Sequence, residues 1–138
     1  MMPLAEVNIV AVLVATLATM ATGFIWYNPK AFGTAWMSLV GMTELDMQNA
    51  DMKKAFGTGF LATLISTYFL AVALLLVGVT ELSEAIKVAV LIWLIAGLPM
   101  EMHGVAWEKR PTKLLWINAS HTLVGFVVGA IMLQWWPA

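Results

Sequence analysis

The chain has no cysteine. Disulfides, thiolate metal sites, haem attachment and cysteine nucleophiles are therefore excluded, and redox chemistry says nothing of its compartment. It also has little charge. Only 11% of its 138 residues are Asp, Glu, Lys or Arg, and its formal net charge is -1. No strongly basic surface is available for nucleic acid or anionic lipid. Soluble domains carry about 25% charged and about 45–50% apolar residues. Here 62% are hydrophobic and the mean hydropathy is +0.88. So few charges cannot cover so apolar a chain in water. A soluble enzyme, a disordered protein and a nucleic-acid binder are excluded, and an integral membrane protein remains. Seven Trp and ten Met suit a lipid-facing surface with interfacial anchors.

No Lys or Arg precedes Lys30, and no A-x-A pattern precedes Gly23. The first apolar stretch is thus expected to be a retained span, not a cleaved signal. A spanning helix needs about 20 apolar residues. Four windows qualify, over residues 4–26, 55–79, 85–107 and 112–136. The expected fold is all-α, one four-helix transmembrane bundle. Pro111 suits the start of the last helix, where its missing N–H is not needed. No internal repeat is evident, so an inverted-repeat transporter is not supported.

Lys30, Lys53, Lys54, Lys109, Arg110 and Lys113 fall at one end of such a bundle, and Lys87 alone falls at the other. Six basic residues against one predict that loops 27–54 and 108–113 are cytoplasmic and both termini are not. In the first loop, Phe32, Trp36, Met37 and Val40 recur at helical spacing, which predicts a short amphipathic interfacial helix. Gly41 should end it. Thr43 then reads as an N-cap with Asp46 in the capping-box position, opening a helix expected to run into span two. Trp26, Tyr27, Phe32, Trp36, Trp107, Trp135 and Trp136 are expected as interfacial anchors.

In lipid, small residues let helices approach. Ala15 and Ala18 in span one, Gly59 and Thr63 in span two, Gly97 and Gly104 in span three, and Gly125-x-x-x-Gly129 in span four are the expected packing positions. The last pair serves dimerisation and packing within one chain equally well.

An ionisable residue within a span marks a candidate site. Glu101 lies about two turns inside the cytoplasmic boundary. In a hairpin turning at Lys109 and Arg110, it falls opposite Asn118, with His121 about 4.5 Å deeper. Asn118, His121, Thr122, Gly125 and Gly129 form one stripe of span four. Trp93, Gly97, Glu101 and Gly104 form another on span three. Glu101, Asn118, His121 and Thr122 are therefore the candidate polar cluster. Pro99 should kink the helix one turn before Glu101, because it removes a hydrogen bond to the Ile95 carbonyl. His103 lies about 200° around the helix from Glu101, which argues against a metal site. No hydroxyl has a placed base with an orienting acid, so no enzyme is expected. No cofactor is predicted beyond bound lipid.

Trp26-Tyr27-Asn28-Pro29, Phe32-Gly33-x-x-Trp36-Met37 and Gly41-Met42-Thr43 resemble the first half of the DUF1761 family. Arg110-Pro111-x-Lys113-x-x-x-Ile117-Asn118-Ala119, Gly129-Ala130-Ile131 and Trp135 resemble its last span. The W-Y-x-P…F-G-x-x-W segment is the more specific part. The resemblance implies a small four-span bacterial protein of the inner membrane and supplies no catalytic residues. Two functional readings follow from the residues. One is a structural or accessory subunit packed in a homo-oligomer or larger membrane complex, with membrane lipids and no nucleic acid as partners. The other is a small proton, cation or solute transporter using Glu101, Asn118 and His121.

Overall fold

A computed structural model describes residues 2–136. A short 3-10 turn, Leu4–Glu6, leads into α1, Ile9–Trp26. Two short helices follow, α2 (Gly33–Val40) and α3 (Glu44–Gln48), before α4, Met52–Val77. The third span comprises α5 (Leu82–Ile92), a π turn at Trp93–Gly97 and α6 (Leu98–Trp107). The last helix is α7, Thr112–Trp135. Four apolar helices long enough to cross a membrane result, over Ile9–Trp26, Met52–Val77, Leu82–Trp107 and Thr112–Trp135. The expected four-helix membrane bundle is what the chain forms.

Local chemistry sets the boundaries. The Asn8 side chain accepts from the Ala11 amide at 3.1 Å, so α1 starts at Ile9, later than hydropathy alone suggests. Gly41 closes α2 with φ 73°, and Gly78 closes α4 with φ 74°; glycine adopts this left-handed conformation without steric cost. Thr43 and Asp46 form the capping box expected of them. The helix they open does not run into span two, however. It stops at Gln48, and the Asp51 side chain caps a separate helix by accepting from the Lys54 amide at 3.1 Å. Pro99 also acts differently from expectation. The disturbance is a wide turn just before it, in which the Leu98 amide reaches back to the Trp93 carbonyl.

Helix α7 is the hub and packs on α1, α4, α5 and α6. Gly125 and Gly129 spend their small size inside the chain. A Cβ on Gly125 would lie 3.3 Å from Thr19, and one on Gly129 would lie 3.3 Å from Leu70. Ala15 is fully buried and Ala18 half-buried on α1. Nearby, the hydroxyls of Thr16 and Thr67 bond at 2.6 Å and tie α1 to α4. The buried core at the end of the bundle nearest the Glu81–Glu84 turn is apolar. Leu70, Leu74, Ala85, Ala89 and Ala130 form one core there. Val7, Val12, Ala71 and Val72 form another.

Candidate functional site

The polar chemistry gathers at the opposite end, where the segment after α1 folds back on itself. Asn28 makes a tight turn. Its carbonyl accepts from Ala31 at 2.8 Å and Gly33 at 3.0 Å, and its side chain accepts from the Lys30 amide at 3.0 Å. The Trp26 carbonyl accepts from Phe32 at 3.0 Å. Gly33 has to be glycine here, since a Cβ would lie 2.1 Å from the Tyr27 carbonyl oxygen. This turn holds two side chains against α7. The Trp26 indole donates to the Ile117 carbonyl at 3.0 Å, and the Tyr27 hydroxyl donates to Asn118 Oδ1 at 2.9 Å. Phe32 packs on Trp26 with ring centres 4.8 Å apart, and Trp36 meets Tyr27 edge-on at 5.6 Å.

Trp26, Tyr27 and Trp36 are therefore not free belt residues, which corrects the expectation for them. Their rings or polar atoms are engaged inside the protein, and together with Phe32 they form a clasp on α7. Trp107 and Trp135 are exposed, 81% and 74% accessible. Trp136 is half-buried, and Phe32 keeps an exposed edge.

Glu101, Asn118 and Thr122 line one cavity of about 520 Å³ with Tyr27, Trp36 and Met47. The hairpin arithmetic thus places Glu101 and Asn118 correctly. His121 is not part of this cavity. It turns to the other side of Tyr27, with ring centres 5.0 Å apart, and lines a groove between α1, α4 and α7. Among the described residues, no hydrogen bond or ion pair joins Glu101, Asn118 and His121 to one another. The expected cluster is divided by Tyr27. His121 Nε2 is buried without a partner, and a Cβ on Gly23 would lie 3.2 Å from it. The groove also carries the hydroxyl side chains of Thr19, Thr63, Ser66 and Thr67.

Two expected packing glycines have other roles. Gly59 faces the groove with nothing near its Cβ position, and the Thr63 hydroxyl donates to its carbonyl at 2.8 Å. Gly104 is buried under Arg110, whose Cδ would lie 2.9 Å from an added Cβ. Gly97 leaves room for Trp93 and Thr122. The Trp93 indole in turn donates to the Ala119 carbonyl at 2.8 Å and stitches the third span to α7. His103 is exposed on α6, away from Glu101.

Arg110 is the partner that sequence reasoning missed. Lys109 takes φ 55°, unusual for a residue with a side chain. The turn lays Arg110 back over Gly104, where it reaches Glu108 at 2.6 Å and Glu101 at 3.9 Å. The available signal was a glycine one turn before the helix end, followed by a basic pair. Burial, and after it the charge of Glu101, push the Tyr27 phenol up to about 12. Tyr27 therefore stays a hydrogen-bond donor at any physiological pH.

The fold and its clasp define a class, the four-span helical membrane proteins with a folded interfacial segment between spans one and two. Within that class, residues 10–134 match the family model described as protein of unknown function (DUF1761), and the chain belongs to that family. No curated protein and no solved structure matches it.

Proposed function

We propose that this protein is a non-conducting integral-membrane subunit that works through helix packing, in a homo-oligomer or a larger membrane complex. The observation that carries the reading is where the polar residues stop. A proton or cation path needs ionisable groups or water across the whole membrane thickness. Here the half-buried Glu101 and His121 both lie in the half of the bundle nearest the clasp. The core of the other half consists of Leu70, Leu74, Ala85, Ala89 and Ala130, which offer an ion no polar group.

The proposed setting is the bacterial inner membrane. Loops 27–54 and 108–113 face the cytoplasm, with the basic residues gathered there in support. We assign the protein no catalytic chemistry. Native mass spectrometry after extraction from its own membranes in mild detergent tests the reading. It predicts copies or larger subunits at fixed stoichiometry. A solitary monomer at every detergent concentration contradicts it.

A further inference from the structure

The cavity beneath α2 and α3 has a composition that selects a ligand. Its lining residues are Tyr27, Trp36, Met47, Glu101, Asn118 and Thr122, and Glu101 is the one charged side chain among them. Two of the neighbouring polar atoms are already engaged. Asn118 Oδ1 accepts from Tyr27 at 2.9 Å, and the Thr122 hydroxyl donates to the Asn118 carbonyl at 3.0 Å. That leaves a carboxylate facing two aromatic rings and a thioether. Such a set disfavours an anion, which the carboxylate repels. It also disfavours a metal ion, which needs several convergent oxygens. It suits a single positive charge on an apolar body, held by the carboxylate and by the faces of aromatic rings. The volume, about 520 Å³, is that of a small-molecule pocket.

Arg110 stands beside this carboxylate. It grips Glu108 at 2.6 Å but stands 3.9 Å from Glu101, and its side chain is 44% exposed. It is a loosely held resident cation that a stronger one can displace. Membrane-active organic cations collect at the interface, at the level of a segment such as α2 and α3.

We propose that this cavity binds a lipophilic organic cation, with Glu101 as its counter-ion and Tyr27 and Trp36 as aromatic walls. The proposal goes beyond the subunit reading and does not depend on it, because it concerns the purified chain without partners. The test is calorimetric titration of tetraphenylphosphonium into the protein in nanodiscs of neutral lipid. Saturable binding of one cation per chain is expected. Glu101→Gln should weaken it about tenfold or more, the scale of losing a charge-assisted contact. Trp36→Ala should weaken it several-fold. Arg110→Gln should tighten it, because the competing cation is gone. A misfolded variant cannot tighten binding, so the last result separates lost charge from lost fold. Absence of saturable binding overturns the proposal. So does native affinity in Glu101→Gln, or an Arg110→Gln variant that binds no more tightly than the native chain.

Discussion

Tyr27 concentrates the chemistry of the clasp in one side chain. Its hydroxyl bonds Asn118, its ring meets His121 and Trp36, and it divides the Glu101 cavity from the His121 groove. Tyr27→Phe keeps the ring and removes the bond. Unfolding in detergent should show a loss of about 1 kcal/mol, as for other interhelical hydrogen bonds in membranes. No loss would mean that the bond is idle. The phenol also has a pH signature. Its folded value, about 12, lies above the ordinary 10.0. The protonated form is the one the fold favours, so this contribution is full below pH 10 and fades as pH rises through about 12. The chain has two tyrosines. The phenolate absorbance lost in Tyr27→Phe should be the part that rises only as pH approaches about 12. A single step near the ordinary value would contradict the burial described. The ring at the end of a span was legible in the sequence as an amphipathic residue at the membrane surface. Its partner was not, because the backbone turn that aims it depends on contacts across the fold.

At the scale of elements, the Asn28–Gly33 turn decides whether the clasp forms. Gly33→Ala would place a methyl 2.1 Å from the Tyr27 carbonyl, so the turn has to open. We expect a cost of about 2 kcal/mol and faster hydrogen exchange at Ala31, Phe32 and Gly33, whose amides all bond within the turn. Unchanged exchange would show that the turn tolerates the methyl. The four apolar windows, the α2 stop at Gly41 and the Thr43–Asp46 box were all readable, since each rests on local propensity or capping. The break at Asn49 was not. Thr43 reads in sequence as the start of one continuous helix, and only the folded loop shows that Asp51 opens a second. The π turn escaped for a related reason. Proline predicts a lost hydrogen bond but not how the preceding turn rearranges to absorb it.

For the whole molecule, α7 acts as the hub, and the two ends of the bundle differ in character. One end has an apolar core, and the other carries Glu101, His121 and the clasp. Because the chain has no cysteine, orientation can be read without background. Ala50→Cys should react with a membrane-impermeant thiol reagent only after the cytoplasmic side is opened. Thr80→Cys should react from outside in intact cells. The reverse pattern would overturn the topology inferred from the basic loops. Hydropathy made the four-helix architecture the most legible part of the structure. The ownership of small residues was less so, since Gly59, Gly104 and Gly125 look alike in sequence. They face an open groove, an arginine and a neighbouring helix respectively.

The central claim is that the apolar half of the bundle closes the protein to ions. The most direct measurement is proton and potassium flux in proteoliposomes containing the purified chain. The account predicts flux no greater than in protein-free liposomes, and the same for Glu101→Gln. Flux in the native protein that disappears in Glu101→Gln would contradict it.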